Sequence, residues 1–372
     1  MGLIHSLYVH VPFCKSKCPY CDFFSVSDFS LLSDYKKAVL EELSLRSPNF
    51  VSFPTVYFGG GTPSTLSVDF FYSILYSLGQ FSEVTIEINP EDAKKDFLLA
   101  LKEIGVNRIS IGVQTFSDKL LKILGRRQTS LQNLKSLENV LSIFENVSID
   151  IIYGIPEQTL KDLEKDLEIA TSFPIKHIST YALTVYEGTL FEKLEKSGKI
   201  SLPSDSILSE MYYILREFLV ERGFNHYEIS NFAFSGFESK HNLSYWKLKN
   251  YLGLGASAAS YVNGKWWKNV SSVEEYVSFL NNSKLPTSDV VVYQDEEEKE
   301  LKILMGLRLI AGINLDELEL TEKFKERLEK NQKLKFFLEE EFLVFEKPTL
   351  RLGEKGYFVS NTVISEVISA LF

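Results

Sequence analysis

The chain has 372 residues, with 40 Lys+Arg against 50 Asp+Glu and a formal net charge of −10. Hydrophobic residues make up 45%, aromatics 13% and charged residues 24%, the profile of a globular chain of two or three domains rather than a disordered one. The acidic balance argues against nucleic acid as the main partner, and no apolar run approaches the roughly 18 residues of a membrane span.

At the amino end the string MGLIHS fits the loose myristoylation pattern. An apparent core strand follows at once, so the match is taken as coincidence. The first basic residue is Lys15, so the start lacks the charged front of a secretory signal. From residue 7 to about 185, short β-branched or aromatic runs alternate with stretches of helical period. The expected strands are Leu7–His10, Thr55–Phe58, Glu83–Ile88, Asn107–Gly112, Val147–Ile152 and His177–Leu183. Helices are expected near 34–46, 67–79, 94–104, 117–143 (one or two) and 159–171, with start signals at Ser33-Asp34 and Ser130. Such alternation marks a parallel sheet with right-handed helical crossovers. Six strands are two short of the closed eight-stranded barrel, so an open, partial (β/α)₆ barrel is expected over 1–204.

After residue 185 the pattern changes. A helix near 205–222 leads into an aromatic-rich stretch from His226 to Trp267, and 205–289 is taken as an extension. The acidic run Asp295–Glu300, a helix to about Ile310, helices near 316–330, a hairpin at 341–352 and a last helix at 360–371 follow. They make 290–372 a small α+β module like a winged helix. Its 12 Lys+Arg against 17 Asp+Glu give 12 − 17 = −5, which favours a structural or partner-docking module over DNA binding.

Cys14, Cys18 and Cys21 are the chain's only cysteines, spaced C-x3-C-x2-C in YVHVPFCKSKCPYCDFF. An odd number in one short loop is no disulfide framework and points to a reducing, cytoplasmic location. Three thiolates so close can converge on one small object. A structural zinc site needs a fourth ligand; His10 is a candidate, but outside the usual paired-ligand spacing. An iron–sulfur cube held by three thiolates keeps one iron open for a substrate or cofactor. Gly59-Gly60-Gly61-Thr62 follows the second strand, Glu87 sits near the end of the third, Gln114 follows the fourth and Asp150 lies late in the fifth. These are strand ends of the kind that build a barrel's active face. The glycine run has no Lys-Ser/Thr beside it, which excludes a nucleotide P-loop.

On these residues the chain resembles the radical S-adenosylmethionine (SAM) superfamily, defined by CxxxCxxC, and within it the family of the oxygen-independent coproporphyrinogen III oxidase. The resemblance runs from about Tyr8 to Ser260. It implies a [4Fe-4S] cluster on Cys14, Cys18 and Cys21, with SAM chelated at the open iron and an electron donor for the cluster. It also implies that Gly60, Gly61 and Thr62 take the SAM amino group, and that Glu87 binds the ribose or the amino group. Gln114 and Asp150 would meet the ribose and adenosine end, and Arg126 in LGRRQ the carboxylate, with Arg127 its rival on chemistry alone. Tyr8, Tyr20 and Ala182 match positions lining the same site.

Two features separate branches of that family. The oxidases resemble C-x3-C-x2-C-x-C, and here Phe23 occupies the fourth cysteine's place; they also carry an extension ahead of the cluster loop. The string His241-Asn242-Leu243-Ser244-Tyr245-Trp246 resembles the HNxxYW mark of the heme chaperone (HemW-like) branch. That resemblance implies heme as a further ligand, held by His241 with Tyr245 and Trp246 stacking on the porphyrin, and heme-accepting proteins as partners. A neutral imidazole is a good axial ligand for heme iron. The expected function is a heme chaperone, with the oxidative decarboxylation of coproporphyrinogen III as the alternative and a zinc-stabilised barrel as the bland reading. The cluster would serve assembly, dimerisation to a homodimer or the transfer step.

Overall fold

All six expected strands are present in the computed structural model, which describes residues 3–46 and 53–372. Met1 and Gly2 of the MGLIHS string lie outside the described residues. The strands are β1 (Ser6–Val11), β2 (Thr55–Gly60), β3 (Glu83–Ile88), β4 (Arg108–Gln114), β5 (Val147–Tyr153) and β6 (His177–Ala182). They pair in parallel and in chain order. The crossovers carry α1 (Leu32–Arg46), α2 (Val68–Leu78), α3 (Lys95–Glu103), α4 (Asp118–Ile123), α5 (Ser130–Leu141) and α6 (Leu160–Ser172). The expected 117–143 segment is thus two helices. Thr129, not Ser130, caps the second, through a capping box with Gln132; α1 starts at Leu32, ahead of Ser33.

The strands alternate along their length. On β4, Ile109, Ile111 and Val113 are fully buried in the main apolar core, while Arg108, Ser110, Gly112 and Gln114 turn to an interior cleft. Val84, Ile86 and Ile88 on β3, and Val147, Ile149 and Ile151 on β5, repeat the apolar side of the pattern; Glu87 and Asp150 repeat the polar one. A closed barrel of eight strands fills its interior with branched apolar side chains. Here the inner face is polar, and the barrel is open.

The later strands continue the same sheet at both edges. β7 (Asn225–Glu228) and β8 (Asn231–Ala233) extend it beyond β6, while β9 (Tyr251–Leu254), β10 (Ala259–Val262), β11 (Lys265–Asn269) and β12 (Thr287–Val292) extend it beyond β1. The order is β12-β11-β10-β9-β1-β2-β3-β4-β5-β6-β8-β7, with β9 parallel to β1. Glu42 on α1, fully buried, ties this edge down. Its carboxylate accepts from Arg46 at 2.8 Å, Asn269 at 2.8 Å, Tyr276 at 2.6 Å and the Gly255 amide at 2.9 Å. A buried carboxylate is tolerated when every lone pair is used in this way.

Between β8 and β9 the short helix Lys240–Trp246 crosses the amino-terminal ends of the strands. The Glu83 carboxylate at the base of β3 accepts from the Lys240 and His241 amides, both at 3.0 Å, capping that helix. It closes the barrel floor.

In the carboxy-terminal module the acidic run forms the first turn of the helix Asp295–Gly306, where carboxylates meet the positive end of the helix dipole. Strands Ile313–Asn314, Leu343–Glu346 and Thr349–Leu352 make a separate three-stranded sheet with the expected hairpin. The helix expected from 316 begins at Thr321, a further helix, Gln332–Glu339, was not expected, and the last runs Ser360–Leu371. Phe324, Leu334, Leu350, Val363 and Val367 form the module's core. Among the described residues no helix is long and apolar enough to cross a membrane.

Candidate functional site

The loop from β1 to α1 carries the three cysteines and is pinned at its base. The Cys14 amide donates to Val26 O at 2.9 Å, and the Val26 amide to Pro12 O at 2.7 Å. Farther out, Pro19 O accepts from the Phe191 amide at 3.0 Å, and Tyr20 packs edge-on against the Phe191 ring at 6.1 Å. Cys14, Cys18 and Cys21 are half-buried free thiols on one wall of a cleft of about 390 Å³. Burial pushes the Cys14 and Cys21 thiols up, so a metal has to displace their protons on binding. Among the described residues no three His, Cys, Asp or Glu side chains are gathered in a ready metal-holding cluster. His10 is not turned to the thiols: its Nδ1 lies 3.0 Å from Tyr8 Oη and its Nε2 2.9 Å from Phe24 O. That removes His10 as the fourth ligand of a zinc site. Phe23 stands 66% exposed at the rim.

The glycine run brings backbone against this loop. Gly60 has φ +109°, and a Cβ there would lie 2.6 Å from the His10 ring. A Cβ on Gly61 would lie 2.8 Å from Val11 O and 3.0 Å from Cys14 Sγ. Only glycine fits both demands. Thr62 Oγ1 then sits 3.4 Å from Cys14 Sγ and accepts from Asn89 at 3.3 Å.

Deeper in the cleft, Tyr57 Oη donates to Glu87 Oε1 at 2.8 Å, and Ser110 Oγ to Asp150 Oδ1 at 3.2 Å. Burial, opposed by these hydrogen bonds, pushes Glu87 up to about 7 and Asp150 up to about 6. Gln114 holds φ +67°, a strained conformation for a residue with a side chain, at the end of β4. Geometry separates the two adjacent arginines. Arg126 turns inward, donating to Cys18 Sγ at 3.5 Å, Asn89 Oδ1 at 2.7 Å and Gly112 O at 3.2 Å. Arg127 pairs with Glu91 at 2.6 Å on the rim.

The cleft therefore gathers Cys14, Cys18, Cys21, Tyr20, the Gly60–Thr62 turn, Glu87, Gln114, Arg126 and Asp150. Tyr8 sits behind Tyr57, ring centroids 6.2 Å apart. Ala182 is exposed at the end of β6, between Tyr181 and Leu183, which line the cleft. The HNxxYW residues depart from the expected arrangement. His241 is 1% exposed, with Nδ1 2.9 Å from Thr55 Oγ1 and Nε2 2.8 Å from Tyr245 Oη. Both nitrogens are taken, so in this arrangement the imidazole offers none to a heme iron. Trp246 lies under the Arg308 guanidinium at 5.8 Å, and of this string Asn242 alone reaches the cleft.

Residues 8–170 match the model of the radical SAM superfamily. The heme chaperone HemW of Lactococcus lactis subsp. lactis (strain IL1403) is 33% identical over 374 residues, 98% of this chain and 97% of that one. The heme chaperone HemW of Bacillus subtilis (strain 168) is 38% identical over 320 residues, covering 83% of this chain and 84% of that one. This chain belongs to the HemW family of radical SAM proteins. In fold, the family member resembles coproporphyrinogen III oxidase (HemN) from Escherichia coli, with a TM-score of 0.83 at 21% identity, covering 100% of this chain and 90% of that one.

Membership of the radical SAM superfamily implies a [4Fe-4S] cluster and SAM. The donor set of this HemW-family chain fits them: three thiols on one wall, a glycine turn with no Cβ to block close approach, and Arg126 beside Cys18. Sequence reasoning missed Tyr57, Asn89, Arg108, Ser110, Ser179 and Tyr181, which line the same cleft. The signal was present in the period of two that runs back from Gln114 through Gly112 and Ser110 to Arg108.

Proposed function

We propose that the protein is a heme chaperone that carries a [4Fe-4S] cluster on Cys14, Cys18 and Cys21, holds SAM in the adjoining cleft and passes heme to acceptor proteins in the cytoplasm. The observation that carries this reading is full-length likeness to relatives named heme chaperones, in a chain with Phe23 where an oxidase has its fourth cysteine. Gly60, Gly61 and Thr62 would hold the SAM amino group, Glu87 the ribose or amino group, Gln114 and Asp150 the adenosine end, and Arg126 the carboxylate. Tyr8, Tyr20 and Ala182 would border that site. When bound, the reduced cluster supplies an electron that can cleave a carbon–sulfur bond of SAM. The chain's own residues position that cofactor and exclude water from it. An electron donor and a homodimer belong to the same reading.

Ligation of heme by His241, with Tyr245 and Trp246 against the porphyrin, requires the helix Lys240–Trp246 to leave the barrel floor and give up the Thr55 and Tyr245 hydrogen bonds. Heme titration of the anaerobically reconstituted protein, run beside a coproporphyrinogen turnover assay on the same sample, tests the proposal. Heme uptake without turnover supports it. Turnover with SAM and reductant overturns it in favour of the oxidase.

A further inference from the structure

A second inward arginine lies deeper than Arg126. Arg108 opens β4 and is 2% exposed, one of the largest fully buried side chains. The arginine ion pairs among the described residues are made by Arg46, Arg127, Arg216 and Arg351; Arg108 makes none. Its Nε is sealed from solvent and unbonded, and its side chain lines the cleft. Arg126, in contrast, spends its donors on Cys18, Asn89, Gly112 and Gln128.

A folded protein keeps a buried cation where a partner or a ligand neutralises it. Glu87 and Asp150 in this chamber feel the charge of Arg108, but neither pairs with it directly among the described ion pairs. Glu87 is engaged by Tyr57 and Asp150 by Ser110. Tyr57, Ser179 and Asn242 add neutral polar groups to the lining. One guanidinium fork flanked by two acidic side chains suits a singly charged planar anion, whereas a phosphate dianion would meet their repulsion.

We propose that Arg108 receives a carboxylate that a ligand carries down into the barrel. Gly112, which Arg126 contacts, lies four positions farther along β4, so Arg108 sits roughly 13 Å deeper along the strand at about 3.3 Å per residue. Two ligands of the proposed function bear such a group, a tetrapyrrole through its propionates and SAM through its amino-acid end, and the inference rests on that function for its ligands.

The test compares the cluster-loaded full chain with its Arg108→Gln variant, using hemin, hemin dimethyl ester and SAM as probes, with the melting temperature of the unligated proteins as the control for folding. The expected result is that the native protein binds hemin at least tenfold more tightly than the diester, and that the variant binds both alike. A tenfold loss of SAM affinity with the hemin-to-diester ratio retained assigns the same anion site to SAM. Unchanged affinity for all three probes overturns the proposal, and a lowered melting temperature with that result leaves Arg108 a structural residue. Failure of the native protein to take up hemin overturns the chaperone reading alone, because the SAM arm still tests Arg108.

Discussion

Arg126 Nη1 lies 3.5 Å from Cys18 Sγ, and this contact links the loop between α4 and α5 to the cysteine loop. Arg127 differs from Arg126 by one position and faces the opposite way, toward Glu91. In the cluster-loaded protein, Arg126→Ala is expected to weaken SAM binding at least tenfold, about 1.4 kcal/mol. Arg127→Ala removes an exposed ion pair, a contact contributing about 0–1 kcal/mol, and is expected to leave SAM affinity within about twofold. Equilibrium titration of both variants checks the contrast, and equal losses would remove the distinction.

Gly60→Ala forces a Cβ to within 2.6 Å of the His10 ring at a φ of +109°. Gly79→Ala meets positive φ (+97°) but has nothing within 4 Å. The Gly79 change should cost only backbone strain, on the order of 1–3 kcal/mol. The Gly60 change should cost more and lower iron uptake as well, since His10 and the cysteine loop have to shift. Thermal melts and iron content of the two variants separate strain from collision.

Glu87 titrates at about 7 in the folded protein against an ordinary 4.5. The folded state therefore holds this proton more tightly than the unfolded chain, and its contribution to stability declines as pH rises across that window. The buried neutral histidines His10 and His226, lowered to about 4, act in the opposite sense, so the difference between variant and parent isolates the carboxyl. Glu87→Gln is expected to gain stability relative to the parent by up to about 1.4 kcal/mol per pH unit between roughly pH 4.5 and 7, and nothing further above. Urea unfolding at pH 5, 6, 7 and 8 gives the measurement; a flat difference would show that Glu87 is not held protonated.

His241→Ala removes an imidazole bonded to Thr55 and Tyr245 and leaves a hole in the floor. A destabilisation of roughly 2–4 kcal/mol follows from the lost hydrogen bonds and packing. If His241 ligates heme, adding heme to the parent protein should speed amide exchange over 240–246, and the variant should take up less heme. Unchanged exchange with full uptake would place the iron ligand elsewhere.

Much of the barrel is legible in the sequence because its strands are buried on both faces and its helices show a clear apolar period. The last helix, 360–371, was expected with the bounds it has. The cleft residues were visible because Cys14, Gly60 and Glu87 fall at or near the ends of expected strands and match the motifs of the family the chain resembles. What was hidden lay in the third dimension. β7 and β8 are too short to show a period, and β12 is an edge strand exposed along almost its whole length. Arg108 looks like an ordinary charged residue until the pleat points it into the barrel. His241 looked like a free ligand because sequence spacing does not disclose that Thr55, almost two hundred positions earlier, occupies its ring nitrogen.

The pairing of β1 between β2 and β9 carries a consequence for biosynthesis. β2 follows within tens of residues, but β9 ends at Leu254, and at ~5–20 residues per second the ribosome delivers it on the order of tens of seconds later. Throughout that interval the strand leading into the cysteines has one bare edge, and the helix that stoppers the barrel has yet to be translated. A chain stalled before residue 254 would hold the strand leading into its thiols on β2 alone, with the other edge unpaired.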